Sequence, residues 1–413
     1  MTAKNACADS FSDAPLKLNS NRAVLGFAAL LLAGLAAHVL TISGGGWRMA
    51  ALAFTGAAIG FALFRSTFGF SGAFRALIAE RNAEAFKAHA LLLGFAALLM
   101  LPLIGLGEVF GQRIGGPSTP IGVTFATGAA LFGIGMQLAG GCSSGTMFAL
   151  GGGNLKFIAV LVFFIIGSTF GALHMDWWWK LPALEPVVLH RTYGWAVSLA
   201  VILAASAAMW AFGARYSKAA AADATDAKRP LFCRVAYGPW PLAWGALAIA
   251  ALNALTLVLS GRPWGETAAF ALWGSKIVAA TGLDDPEFWT YWGRPDFENQ
   301  LGASIFTDVV SVMNIAVLLG ATAAAALSQT FNPRTGGDWR AWIAAILGGL
   351  LMGYGARLSN GCNISAYFSS VSTANLSGFA WLAFALIGCY AGVKLRPLFG
   401  LSGIKPEDTP VSC

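Results

Sequence analysis

Eight apolar runs recur along this chain, near residues 23–41, 48–64, 90–107, 155–173, 193–213, 237–260, 303–327 and 376–395. Each is close to the ~20 residues that a helix needs to cross a bilayer. Hydrocarbon offers the backbone no water, so a run of this kind must close its hydrogen bonds within itself, as a helix does. Only 11% of the 413 residues are charged, against about 25% in a soluble domain, which excludes an ordinary soluble globule. The expected fold class is an all-α polytopic membrane protein, with about nine or ten transmembrane helices plus short re-entrant or broken ones. Fifty glycines fit that reading, because small residues let membrane helices approach closely.

Two further stretches repeat one another 220 residues apart. Residues 133–148 read GIGMQLAGGCSSGTMF and residues 353–368 read GYGARLSNGCNISAYF. Gly133, Gly135, Leu138, Gly141, Cys142 and Phe148 coincide with Gly353, Gly355, Leu358, Gly361, Cys362 and Phe368. With one residue of slippage, Phe163, Ile166, Gly167 and Gly171 fall on Phe384, Ile387, Gly388 and Gly392. A duplicated membrane segment, interrupted by glycine at matching places, points to a transport site.

Charge sets the expected orientation. Basic residues gather at 65–87, 214–234 and 329–340 and at Lys394 and Arg396, while 282–300 is acidic and 174–192 is rich in Trp. The basic loops are therefore expected in the cytoplasm, the acidic and Trp-rich ones outside, and both termini in the cytoplasm. The net charge of +7 is accounted for by this topology and calls for no nucleic acid. The first apolar run, after Lys4, Lys17 and Arg22, reads as a retained helix rather than a cleaved signal. The expected organisation is a cytoplasmic tail (1–22), a first membrane half (23–213), a cytoplasmic linker (214–236), a second half (237–400) and a cytoplasmic tail (401–413).

Four full crossings separate the two Gly-Cys segments. If both segments cross as broken helices, they run in opposite directions and form an inverted repeat whose breaks meet near the midplane; re-entrant hairpins are the alternative. Residues 261–281 are short for a span and open with Gly and Pro, so they read as a re-entrant or half-length helix.

A broken helix frees backbone N–H groups at its new N-terminus, where anions are favoured. Gly140 and Gly141 break the first copy, followed by Ser143 and Ser144 as caps; Asn360 and Gly361 break the second, followed by Asn363 and Ser365. The cysteine discriminates among anions. Serine would serve sulfate or phosphate oxygens better, whereas a soft, polarizable thiol suits a sulfur-bearing ligand. Cys389 faces Ser168 in the repeat and reads as packing. The six cysteines form no CxxC or Cys/His cluster, so neither zinc nor a disulfide framework is signalled, and no cofactor is expected. Arg357 replaces Gln137 at the equivalent position; an intramembrane arginine marks a pathway or an ion pair unless it snorkels to an interface. Asp308 and Asn314 are its candidate partners.

The pattern G-x-G-x-x-L-x-x-G-C, present twice, with RSTFGFSGAFR at 65–75, RPWGETAAFALWGSKI at 262–277 and LIGCYAGVKLRP at 386–397, resembles the YeeE/YedE family of bacterial inner-membrane sulfur transporters. The resemblance implies thiosulfate uptake by a non-enzymatic, hourglass-like protein with an internal inverted repeat. It also implies a path along which cysteines relay thiosulfate by S–H···S hydrogen bonds, and a small cytoplasmic sulfurtransferase as partner. Cys142 and Cys362 match two of the family's cysteines, and Gly69 stands where the third is expected. The pathway set is thus Cys142, Cys362, Gly141, Gly361, Ser143, Asn363 and Arg357, with no metal ligand. The competing readings are a membrane thiol oxidoreductase or sulfurtransferase cycling Cys142 and Cys362, and a transporter of a selenium compound.

Overall fold

Every long apolar run folds as a helix. In the computed structural model, residues 15–217, 235, 238–294, 297 and 299–401 are described; residues 1–14 and 402–413 of the expected tails and most of the 214–236 linker, with Cys7, Cys233 and Cys413, lie outside them, while residues 15–22, expected in the tail, begin the first helix. The helices are α1 (Pro15–Thr41), α2 (Trp47–Ser66), α3 (Phe70–Arg75), α4 (Glu84–Leu106), α5 (Val123–Ala139), α6 (Ser143–Gly151) and α7 (Lys156–Leu173), then α8 (Leu189–Tyr216), α9 (Leu242–Ser260), α10 (Thr267–Thr281), α11 (Val309–Leu327) and α12 (Trp339–Leu358). A π-helical stretch, α13 (Asn363–Ser369), runs on through Ser370–Ser372, and α14 (Ser377–Leu395) closes the described fold. Among the described residues, sheet is confined to two-residue strands, Glu108–Val109 with Gln112–Arg113 and Ile121–Gly122 with Ala183–Leu184. Among the described residues, ten helical segments are long and apolar enough to cross a membrane. The two beyond the eight apolar runs are Val123–Gly151, which contains the first copy of the repeated motif, and Trp339–Leu358, which ends inside the second. The protein is an all-α polytopic membrane protein.

Both Gly-Cys segments pass through the bundle from one end to the other. The first starts beyond Pro117, whose carbonyl accepts from Asn375 at the end of the second (2.8 Å). It finishes at Gly153–Leu155, where Leu155 N donates to the Arg334 carbonyl (2.9 Å) just before the second begins. Each segment thus ends beside the start of the other, and the two run antiparallel. The contacts repeat under the same exchange. A Cβ on Gly133 would meet the Ala385 carbonyl oxygen at 2.2 Å, and one on Gly353 the Phe164 oxygen at 2.0 Å. Likewise Gly388 faces Ala130 at 2.0 Å and Gly167 faces Leu350 at 2.3 Å. α2 lies along α11 as α9 lies along α4, and α1 packs on α11 as α8 packs on α4. The half-length helix expected at 261–281 is α10, which starts deep in the protein at Glu266 and is too short to be counted among the spans.

Such backbone-to-backbone approach makes certain glycines structural. A Cβ at Gly60 would sit 1.9 Å from the Val317 carbonyl oxygen, whereas one at Gly34 on α1 would meet nothing within 4 Å. Gly60→Ala is expected to lower stability by about 1–3 kcal/mol, the ordinary cost of overpacking, while Gly34→Ala stays within error. Thermal melts of the two variants in detergent check this, and equal melting would refute the close packing of α2 on α11.

Candidate functional site

At each break the chain makes a left-handed turn and starts a new helix on a cysteine. α5 ends at Gly140 (φ 78°) and Cys142 is the N-cap of α6; α12 ends before Asn360 (φ 58°) and Gly361 (φ 147°), and Cys362 is the N-cap of α13. The first turns match bond for bond: Thr146 N donates to the Cys142 carbonyl and Ala366 N to the Cys362 carbonyl, both at 2.8 Å. Gly361 is irreplaceable on two counts. Its φ lies in the left-handed region, and a Cβ would meet Ser365 Oγ at 2.0 Å, the atom that accepts from Cys362 N at 3.0 Å. Gly141 is buried but does not have positive φ; the left-handed residue of the first copy is Gly140.

Opposite each break a loop dips into the protein from the other end of its own half. The dips read FGFSGAF at 68–74 and WGETAAF at 264–270. Gln137 Nε2 donates to the Ser71 carbonyl and Arg357 Nη2 to the Thr267 carbonyl, each at 3.1 Å, so residues 71 and 267 hold equivalent places. Phe70 is therefore the counterpart of Glu266. The backbone of Phe70 lies against the Cys142 thiol, and the Glu266 carboxylate lies against the Cys362 thiol, with Cys362 Sγ donating to Glu266 Oε1 at 3.3 Å.

Glu266 joins the two breaks. It is fully buried, and besides Cys362 it faces the Ser143 hydroxyl and the Ser144 backbone amide at the start of α6. Its Oε2 and Ser143 Oγ close no hydrogen bond of normal geometry. Asn363 Oδ1, Thr146 Oγ1 and the Tyr367 hydroxyl are likewise buried without a partner. Native interiors leave few polar atoms unsatisfied, so this cluster at the two breaks is suited to a polar ligand. Cys362 Sγ also accepts from Ile364 N (3.4 Å), and Cys142 Sγ lies 3.4 Å from Ser144 Oγ. Among the described residues, Cys142, Cys362 and Cys389 are free buried thiols; the backbone N of Cys389 faces Gly133 on α5 and its thiol lies beside Gln137.

Arg357 is buried and does not snorkel. It donates to the Tyr291 hydroxyl and to Thr267, and its guanidinium lies over the Tyr291 ring. Neither expected partner reaches it. Asp308 caps α11 by accepting from Ser311 N (2.8 Å) and Oγ (2.6 Å), because the carboxylate at a helix start is claimed by the free amides there. Asn314 serves the dip: its Nδ2 donates to the Glu266 carbonyl (2.7 Å) and its Oδ1 accepts from Trp264 Nε1 (3.2 Å). Asn253 on α9 accepts from Trp264 N (2.8 Å). An open cavity of about 640 Å³ leads to the second break, lined by Arg113, Arg191, Arg262, Arg294, Asn360 and Ser365. Arg357 and Arg262 line an adjoining one of about 510 Å³.

Of the seven residues expected in the pathway, Cys142, Ser143, Cys362 and Asn363 come together at the facing breaks, Gly361 shapes the second turn, Gly141 is buried at the first, and Arg357 stands behind the second dip. Glu266 was missed. The available signal was the single acidic residue of the half-length 261–281 segment, in a heptad identical to 68–74 at three positions, Gly265, Ala269 and Phe270.

A family model described as sulphur transport matches residues 65–391. Among curated proteins, a thiosulfate transporter, TsuA, of Spirochaeta thermophila is 27% identical over 354 residues, covering 80% of this chain and 94% of the relative. The Escherichia coli K12 thiosulfate transporter TsuA is 23% identical over 354 residues, covering 83% and 94%. A probable transporter, YedE, of Salmonella typhimurium is 26% identical over 162 residues, 39% of each chain.

The hold of α11 on the second dip is directly testable. Asn314→Ala leaves the Trp264 indole N–H and the Glu266 carbonyl without partners, and each orphaned buried group costs about 1–3 kcal/mol. A melting temperature in detergent well below that of the parent is expected, and an unchanged one would show that the dip is held otherwise.

Proposed function

This chain belongs to the sulphur-transport family, and on that footing we propose that it carries thiosulfate, or a closely similar sulfur anion, into the cytoplasm along a path between Cys142 and Cys362. The observation that carries the reading is the pair of facing helix breaks, each headed by a free thiol. Thiosulfate is a tetrahedral dianion with one terminal sulfur. A neutral thiol donates a weak hydrogen bond to that soft sulfur and gives it up again easily, which is what a passage site requires. The hydroxyl and amide groups at the breaks, Ser143 and Asn363 among them, suit the three oxygens, and the two short helices present backbone N–H groups to the negative charge.

The relatives named thiosulfate transporters support the choice of substrate. The basic loops around 65–87 and at Arg334 and Arg340 assign the Cys142 end to the cytoplasm. The arginine-lined cavity beside Cys362 then opens outside, where it raises the local concentration of a dianion before entry. Arg357 steadies Thr267, and through it the dip that carries Glu266, rather than meeting the anion as a bare charge. A small cytoplasmic sulfurtransferase, the partner that the family resemblance implies, would meet the Cys142 end. With Gly69 at the family's third cysteine position, two thiols suffice in this scheme.

Uptake of radiolabelled thiosulfate into proteoliposomes tests the reading. Cys142→Ser and Cys362→Ser keep the size and remove the soft sulfur; each is expected to lower the initial rate at least tenfold, and the double change to abolish it. Rates equal to the parent for all three would sink the thiol relay. Excess unlabelled thiosulfate is expected to compete far better than sulfate, and stronger competition by a selenium oxyanion would reassign the substrate. A covalent sulfur adduct on Cys142 or Cys362, seen by intact-mass measurement after turnover, would favour the sulfurtransferase reading instead.

A further inference from the structure

The two halves of this passage share a backbone and differ in one chemical respect. Where the first dip sets the Phe70 backbone against Cys142, the second sets the Glu266 carboxylate against Cys362. Nothing in the fold demands an acid there, since the equivalent turn is built with phenylalanine. An ionisable residue at membrane depth is costly and calls for a functional account.

Glu266 sits between the two breaks, beside the thiols that the proposed path joins. Oε1 takes the Cys362 thiol, Oε2 has no donor, and Ser143 and Ser144 of the opposite break face the same carboxylate. The charged and titratable groups around it are few. From α6 and α13 come the thiols of Cys142 and Cys362. From α12 comes Arg357, whose partners are Tyr291 and Thr267. α11 contributes the neutral Asn314, while Asp308 at its start is bound to Ser311. Behind Phe70 lie His89 and Tyr367, buried among aromatic rings. Among the described residues no lysine, arginine or histidine forms an ion pair with Glu266.

The two protonation states of such a carboxylate do opposite things. Ionised, it repels a dianion at contact distance in a medium of low polarity, and it holds the Cys362 S–H to itself. Protonated, it carries no charge, becomes a donor, and frees the thiol to turn to the anion. We propose that Glu266 is the proton carrier of this passage: the sulfur anion passes between Cys362 and Cys142 only while Glu266 is protonated, so that each entering anion is accompanied by a proton taken up at the arginine-lined mouth and released at the Cys142 end. The inference rests on the transport reading above and assigns its coupling ion.

The test uses the full chain in proteoliposomes loaded with a pH-sensitive dye, with radiolabelled thiosulfate outside. For the parent protein, thiosulfate influx is expected to acidify the lumen. An inwardly directed proton gradient should raise accumulation at least several-fold, and the initial rate should fall about tenfold per pH unit on the limb set by one proton as the outer pH rises. Glu266→Gln, neutral at every pH, is expected to carry thiosulfate downhill at a rate independent of outer pH, with no lumenal acidification and no accumulation on an imposed gradient. A Glu266→Gln protein that still accumulates thiosulfate with the parent's pH profile would overturn the proposal. So would parent protein that moves thiosulfate without moving protons, an outcome that needs no variant to fold. Parent protein that moves protons and another anion but no thiosulfate would overturn the substrate assignment and leave Glu266 as carrier.

Discussion

Backbone groups set free inside hydrocarbon must find partners within the protein. A helix broken at membrane depth exposes amides and carbonyls that lipid cannot satisfy, so it survives only if protein covers the break. Here each break is covered by a dipping loop, and the dips are held by side chains that themselves need polar partners. Asn253 and Asn314 bind the backbone of Trp264 and Glu266; Ser71 donates to the Met136 carbonyl at 2.9 Å on the other side. Covering two breaks with two dips gathers polar atoms in the middle of an apolar bundle. The cluster of unsatisfied atoms there is the residue of that arrangement, and a ligand is its natural complement.

Duplication explains why the scaffold is so regular, and divergence explains why the two gates differ. Gln137 and Arg357 hold their dips by the same bond to Ser71 and Thr267 at 3.1 Å. Yet one dip meets its thiol with the Phe70 backbone and the other with an acid. Two unit charges 4 Å apart interact by about 4 kcal/mol at an effective dielectric constant of 20, so ionised Glu266 and a dianion in contact repel by about twice that. Phe70 has no such term. One gate therefore responds to protonation and the other only to size and softness.

The fold was largely legible in the sequence because its rules act locally. Apolar length announces helices, the Gly-Cys repeat announces the breaks, and the bias of Arg and Lys announces opposite directions for the two copies. The antiparallel packing of the broken segments bears out that last inference. Partnerships across the bundle were not legible. Cys362 and Glu266 are 96 positions apart in sequence, and nothing in the 262–277 segment says that its dip returns to the second break. Arg357 was paired with Asp308 because both lie in nearby spans, but a helix start claims a carboxylate before a distant guanidinium can. The match of FGFSGAF with WGETAAF is visible once known; with Phe70 and Glu266 at its centre, its most informative position is the one where the copies disagree.

Electrostatics on the scale of the membrane makes that disagreement consequential. Against an inside-negative potential, a dianion entering a cell works against about 4.6 kcal/mol per 100 mV, twice the figure for one charge. An arginine-lined mouth cannot change that sum, because it raises the concentration at the entrance without altering the end states. Weak thiol contacts cannot change it either; they lower barriers and leave equilibrium where it was. Charge moved in step with the anion shifts the balance, and one proton carried with it returns about 2.3 kcal/mol per 100 mV. Among the described residues at the two breaks, the carboxylate of Glu266 is placed to carry that proton past the same two thiols that guide the sulfur.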